Sequence, residues 1–325
     1  MSSLLSLPDL EAAAALVYEQ MPATPQYRWP LLCDELGLEV WVKHENHTPT
    51  GAFKIRGGIS FMHWLRQTHP DCRGIVTATR GNHGQSQARA ARSAGLTARI
   101  VVPEGNSREK NAAMAAFGAD LVVCGQDFDE AREEAQRLAT RDNLFLVPPF
   151  HPAIVQGVST YALELFRAVG EIDTVYVPIG CGSGICGVIA ARDALGIATE
   201  VVGVVSTEAT AARDAFESGK AESSASARTF ADGLAVRQVV PEALAIYGPG
   251  AARVLAVSDD EIADAMRRYF RSTHNVAEGA GAAALAALVQ ERERQQHRRS
   301  AVILCGGNVD TEIFRTVLAG STPAP

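Results

Sequence analysis

The 325-residue chain carries 37 acidic and 30 basic residues, a net charge of −7, with 47% hydrophobic and 21% charged residues. It is too apolar for a disordered polymer, and its acidic balance argues against nucleic acid as a partner, since phosphate backbones need a positive face. The longest mostly apolar stretch, Gly279 to Val289, is well short of the ~20 residues of a membrane span. Asp9 and Glu11 stand where a secretory leader would carry positive charge, so a cytoplasmic protein with no membrane partner is expected. Six cysteines (33, 72, 124, 181, 186 and 305) show no CxxC spacing, which points to a reduced compartment and buried thiols rather than disulfides or zinc.

In chain order, EVWVKHE (39–45) reads as a strand, GIVTAT (74–79) as the next, and His83–Ala94 as a helix. TARIVVP (97–103) is a strand, Ser107–Phe117 a helix stopped by Gly118, and ADLVVCG (119–125) a strand. Asp127 caps a charged helix to about Thr140, and NLFLVP (143–148) is a further strand. TVYVPIG (174–180) and EVVGVVS (200–206) follow, then a polar loop from Ser218 to Ala227. ARVLAVS (251–257) precedes an acid-started helix, DDEIADAMRRYF, and AVILCGG (301–307) is a buried strand ending in glycines. Strands alternating with helices across short loops imply α/β architecture with parallel sheets covered on both faces. The spacing fits a small domain over 72–150 inserted into a larger one built from 1–71 and 151–325.

Four segments could carry chemistry. TPTGAFKIRGG (48–58) places Lys54 between glycines beside Phe53 and Arg56, and Lys54 is one of only four lysines, with Lys43, Lys110 and Lys220. A lysine that forms a Schiff base needs an accessible amine and close approach, which Gly51, Gly57 and Gly58 would allow; from the spacing alone an ordinary lysine at a surface helix start is the plainer reading. TATRGNHGQS (77–86) lies at a strand-to-helix turn, where Thr79, Asn82 and loop amides could hold a carboxylate or phenolic oxygen. The alternative is a plain turn capped by Asn82. GCGSGICG (180–187) between a strand and a helix has the form of a phosphate site. It also satisfies GxGxxG, with Glu208 at about the dinucleotide spacing. LCGGNVD (304–310) puts Cys305 at another strand end.

These motifs, with HPAIVQGVSTYALEL (151–165), TFADGLAV (229–236) and VAEGAGAAAL (276–285), resemble in order and separation the fold-type II pyridoxal-phosphate enzymes of the serine/threonine dehydratase and serine racemase family. The likeness runs from about Thr24 to about Asp310 and displaces the nicotinamide reading, which explains neither Lys54 nor Asn82. It implies two open, mostly parallel twisted sheets with helices on both faces, as in the tryptophan synthase β chain. It also implies pyridoxal 5'-phosphate as cofactor, a small amino acid as substrate, and a homodimer. Lys54 would form the Schiff base and act as the Cα base, with Phe53 beside the ring and Asn82 on its 3-hydroxyl. Gly180, Cys181, Gly182, Ser183 and Gly184 would take the phosphate. Thr79, Arg80, Asn82 and His83 fall in the substrate-carboxylate loop, and Gly233 and Glu278 line the pocket floor. Cys305 stands where the family usually has serine, next to the pyridine nitrogen.

The departures sharpen the reading. Val205, Ala209 and Ala211 occupy the three metal-site positions that include an acidic pair in metal-dependent members, so no metal is expected there. No regulatory extension follows Ala319, so feedback control is not expected. Arg80 stands where racemising relatives have a serine that serves as second acid–base group; a guanidinium has no lone pair for that task. It either points inward to a carboxylate or outward to solvent. The resemblance thus implies elimination of water and ammonia from a 3-hydroxy amino acid such as threonine or serine. Racemisation, or action on 3-hydroxyaspartate or phenylserine, is the alternative.

Overall fold

Strands buried on both faces read as continuous apolar runs rather than alternating ones, and those runs are where the strands fall. A computed structural model describes residues 4–224 and 226–325. Among these residues the strands are β1 (Gln26–Tyr27), β2 (Glu39–His44), β3 (Gly74–Ala78), β4 (Thr97–Val102), β5 (Ala119–Val123), β6 (Phe145–Leu146), β7 (Thr174–Pro178), β8 (Glu200–Ser206), β9 (Arg253–Val257) and β10 (Arg299–Leu304). They form a six-stranded sheet in the order β1-β2-β10-β7-β8-β9 and a four-stranded sheet in the order β5-β4-β3-β6. Every pairing between strands is parallel except β1 with β2.

The order of each sheet reverses at one place. From β7 the chain steps outward to β8 and β9, while β10 and β2 lie on β7's other side. From β3 it steps to β4 and β5, and β6 returns on the opposite side. Such switch points open a crevice at the carboxyl ends of the strands. The loops after β7, β10 and β3 leave from those ends.

The apolar stretch after Glu278 is not a span but a cover. Helix Gly279–Gln290 is buried over most of its length and packs across β7, β8, β9 and β10, as a helix apolar on all sides must. No helix among the described residues is long and apolar enough to cross a membrane. All six cysteines are free; Cys33, Cys186 and Cys305 are buried and the other three half-buried.

Several expectations needed correction. NLFLVP forms only the two-residue β6, because Asn143 sits at a left-handed φ of 51° before it and Pro148 and Pro149 offer no ladder donors after it. Asn82 does not cap its helix: the helix runs Asn82–Ser93 with Gly81 as the capping residue, which leaves the Asn82 amide free for other partners. Ser218 ends helix Ala211–Ser218 rather than starting a loop; the rest of the 218–227 loop has no regular structure where described, and Ala225 lies outside the described residues. Gly57 and Gly58 serve helix packing. A Cβ on Gly57 would lie 2.7 Å from Ile154 Cγ2, and one on Gly58 would lie 2.4 Å from Ser86 Oγ. They let helix Lys54–Thr68 press against helices Pro152–Val169 and Asn82–Ser93.

Candidate active site

Lys54 begins its helix at a place tied to the end of β10. Phe53 N donates to the Cys305 carbonyl at 3.0 Å, and Gly307 N donates to that of Gly51 at 2.9 Å. Thr48 clamps the same turn, accepting from Ala52 N at 2.9 Å and donating to Ala52 O at 2.8 Å. Gly51 adopts φ +68° with its Cα against Asn308, where a Cβ would lie 2.4 Å from Oδ1, so glycine is required on both counts. From the facing helix Ser86 Oγ donates to Lys54 O at 2.7 Å. The Lys54 amine lies 3.4 Å from Ser183 Oγ and 5.0 Å from the centre of the Phe53 ring. Phe53 meets Tyr161 edge-on at 6.0 Å, and the Tyr161 hydroxyl donates to Gly184 O at 3.0 Å.

Ser183 opens helix Ser183–Leu195, and the loop before it is held by contacts that exclude side chains. A Cβ on Gly180 would lie 2.3 Å from Gly233 O, and Gly182, at φ +93°, would place one 2.6 Å from Ala243 Cβ. The result is a bare backbone cradle at a helix N-terminus, suited to an anion. Burial pushes the Cys181 thiol up despite nearby Lys54, so it stays neutral.

The loop after β3 supplies the opposite wall. Thr79 Oγ1 accepts from Gly81 N at 3.0 Å and Gly84 N at 3.3 Å, so its hydroxyl shapes the turn. Asn82 Nδ2 donates to Glu278 Oε1 at 2.6 Å, and Asn82 Oδ1 accepts from Asn308 Nδ2 at 2.8 Å. His83 Nε2 is buried with no hydrogen-bond partner among the described residues. Burial, with Lys54 close by, brings this imidazole down to about 3, so it is neutral near pH 7. Burial pushes the Glu278 carboxyl up to about 7, against the pull of Lys110 and the Asn82 bond. Cys305 is buried and its thiol held well above the ordinary range by burial and the Glu278 charge. Arg80 is exposed, and its charge is felt by Asp127 at the start of helix Phe128–Arg141; the outward orientation is the one found. Lys54, Phe53, Asn82, His83, Glu278, Ser183 and Cys305 thus converge, and Arg80 stands at the surface.

A family model described as pyridoxal-phosphate dependent enzyme matches residues 18–306. The chain belongs to that family. Its cofactor is pyridoxal 5'-phosphate. The biosynthetic L-threonine dehydratase IlvA of Haemophilus influenzae is 31% identical over 305 residues, which cover 93% of this chain and 59% of the relative. The chain therefore spans only about three fifths of that relative's length. The L-threo-3-hydroxyaspartate ammonia-lyase of Saccharomyces cerevisiae is 28% identical over 318 residues, 98% of this chain and 97% of that one. Among solved structures, the processed form of threonine deaminase isoform 2 from Solanum lycopersicum superposes with a TM-score of 0.90 at 30% identity, covering 97% of this chain and 92% of that one.

The residues present fit the family's cofactor. The Gly180–Gly184 cradle would take a phosphate, and the amine 3.4 Å from Ser183 is placed to join an aldehyde carried on it. Cys305 offers a neutral thiol, and the His83 imidazole, whose Nε2 has no partner among the described residues, is close enough to feel the Lys54 charge. Val205, Ala209 and Ala211 are buried. Ala209 and Ala211 line, with Ile179, Val236 and Tyr247, a cavity of about 10 Å³ beside the cradle, room for ~1 water.

Sequence reasoning missed three features of this region. Asn308 was inside a noticed motif but given no role. Lys110 pairs with Asp232 at 2.6 Å beside Glu278, although its segment read as an ordinary polar helix. Lys43, read as a strand residue, is buried and bonded to Glu164 at 2.5 Å.

Proposed function

We propose that this protein is a pyridoxal-phosphate-dependent ammonia-lyase that converts a 3-hydroxy amino acid such as threonine or serine to a 2-oxo acid and ammonia. Lys54 beside the glycine cradle, with its amine 3.4 Å from Ser183 Oγ, carries the reading. Lys54 would hold the cofactor and Gly180, Cys181, Gly182, Ser183 and Gly184 its phosphate, with Gly233 closing the cradle from below. Phe53, Asn82 and Cys305 would surround the ring. When bound, pyridoxal phosphate supplies an electron sink for the bond broken at Cα. The Lys54 amine would take the Cα proton as the Cβ–O bond breaks, hydroxide and that proton leaving together as water. Hydrolysis of the released enamine by a second water would give the 2-oxo acid and ammonia. The amides at the start of helix Asn82–Ser93 receive the substrate carboxylate, and Thr79 keeps that turn in shape. His83 stays neutral and competes for no charge. Cys305, its thiol kept neutral by burial and the Glu278 charge, would offer the ring nitrogen a weaker partner than a carboxylate would.

The names of the threonine dehydratase and threonine deaminase relatives support the reaction class. The 3-hydroxyaspartate relative keeps a second acid on the substrate open. A panel of threonine, serine, 3-hydroxyaspartate and phenylserine, assayed for 2-oxo acid with the cofactor-loaded protein, tests both. Release from none of them refutes the proposal. Arg80 is exposed and lacks a lone pair, so unreacted substrate should keep its Cα configuration. Appearance of the opposite enantiomer on a chiral column, at a rate rivalling 2-oxo acid formation, would make the protein a racemase instead.

Residues 72–150 would act as a small domain against the rest, and the assembly would be a homodimer. Chelation with EDTA should leave turnover within about twofold, since Val205, Ala209 and Ala211 offer no side-chain oxygen. Activity lost to EDTA and restored by magnesium or calcium would contradict this.

A further inference from the structure

The amide of Asn82 can present either its oxygen or its nitrogen to the cleft, and the structure decides between them through a chain of partners. Asn308 Nδ2 donates to the Thr50 carbonyl at 2.8 Å. A carbonyl can only accept, so the orientation of Asn308 is set by the backbone. Its second N–H points at Asn82 and donates to Oδ1 at 2.8 Å. That contact forces the Asn82 nitrogen to the other side, where it donates to Glu278 Oε1 at 2.6 Å. One Asn82 N–H is left to offer. With Glu278 ionised, turning the amide over would set oxygen against its carboxylate and NH₂ against NH₂, two repulsions in place of two bonds.

The three partners come from separate parts of the fold. Asn82 opens the helix after β3, Glu278 stands at the foot of helix Gly279–Gln290, and Asn308 follows β10. Gly51 leaves room for Asn308, since a Cβ there would lie 2.4 Å from its Oδ1. Glu278 is packed on Gly306, where a Cβ would meet its Oε1 at 2.3 Å.

We propose that Asn308 is a positioning residue that, together with Glu278, locks the Asn82 amide so that an N–H rather than a carbonyl faces the cofactor. The inference rests on the reading of Asn82 as the group beside the cofactor's 3-hydroxyl. The charge on Glu278 tunes the lock. The charged groups around it are Lys110, Asp232 and Lys54, and its own charge reaches Cys305. Its carboxyl titrates at about 7, raised first by burial and also by Asp232, and restrained by Lys110, the Asn82 bond and Lys54. Above that value the anion accepts strongly from Asn82; as pH falls through it, the acceptor becomes neutral and the hold slackens.

Cofactor affinity and the visible absorbance of the loaded protein, followed from pH 5.5 to 9 by titration with pyridoxal phosphate, test the lock directly. Asn308→Ala should weaken cofactor binding about tenfold, the worth of one well-placed hydrogen bond, and shift the absorbance maximum, with the thermal midpoint near that of wild type. Asn308→Asp sets oxygen against the Thr50 carbonyl and turns the Asn82 oxygen toward Glu278, so the pH midpoint of binding should rise. Glu278→Gln keeps an acceptor at every pH and should erase the step near pH 7. Wild-type affinity and absorbance in both Asn308 variants would overturn the inference, as would an unchanged pH step in Glu278→Gln. Loss of the circular dichroism signal in both Asn308 variants would assign Asn308 to folding alone and equally overturn it. A wild-type protein that binds no pyridoxal phosphate, or binds it elsewhere than Lys54, would instead sink the underlying reading.

Discussion

Lys54→Ala will abolish the visible absorbance of the cofactor-loaded protein and reduce turnover by ~10²–10⁴-fold from loss of the base alone. The other lysines cannot replace it. Lys43 is buried, bonded to Glu164 at 2.5 Å and to the Thr24 carbonyl at 2.7 Å. Lys220 is exposed in a segment without regular structure. Lys110 is the serious rival, because it is buried beside Glu278. Its amine is held by Asp232 at 2.6 Å, and Asp232 with Glu278 raises its affinity for the proton against the cost of burial. A lysine kept charged in that way is a poor nucleophile. Among the described residues the Lys54 amine meets no carboxylate and bonds instead to the Ser183 hydroxyl at 3.4 Å. Borohydride reduction followed by peptide mapping decides the matter. Label on the Lys54 peptide is expected; label on that of Lys110 would move the site to the other wall of the crevice.

The sequence carried the sheets because their strands are buried on both faces. TVYVP, EVVGVVS and AVIL are apolar over most of their length, and each strand starts within two residues of its expected place, with β10 ending three residues before AVILCGG does. The glycine cradle was legible for a similar reason: small residues at a strand end have few packing uses, and the contacts of Gly180 and Gly182 show why no side chain fits there. Gly57 and Gly58 were misassigned because close approach to a ligand and close approach of two helices both call for glycine. Only the helices at Ile154 and Ser86 distinguish the two, and those lie far away in the chain. Asn308 escaped notice because its work depends on partners at Thr50 and Asn82. The ion network around Arg56 was invisible for the same reason, being drawn from residues 24 to 164.

That network supports the second large effect. Arg56, two positions beyond Lys54, is wholly buried and forks between two acids: Nε and an NH₂ group reach Glu45 at 2.7 and 3.0 Å, and both terminal nitrogens reach Glu164 at 2.6 and 2.9 Å. Thr160 and Thr24 accept at 2.9 and 3.1 Å. With Lys43 the cluster holds two acids and two bases, so it is neutral as a whole. Arg56→Ala leaves one negative charge in excess without solvent, which should cost about 3–5 kcal/mol of a total stability of roughly 5–15 kcal/mol. Arg56→Lys keeps the charge but loses the planar fork, and should fall between the two. The pH dependence reports the cause. In wild type, burial pushes Glu164 up, but Arg56 and Lys43 overcome it and hold the carboxyl below its ordinary value; this contribution is present above the unfolded carboxylate range and is lost as pH falls through the lowered folded value. Without Arg56, burial has less opposition and the folded value rises. A raised carboxylate favours the fold most at low pH and loses that support as pH climbs. Urea unfolding at pH 7 and pH 5 should therefore show the gap between wild type and Arg56→Ala narrowing at the lower pH. A variant as stable as wild type at pH 7, or a gap that widens on acidification, would mean that the buried acids are neutralised by some means other than Arg56.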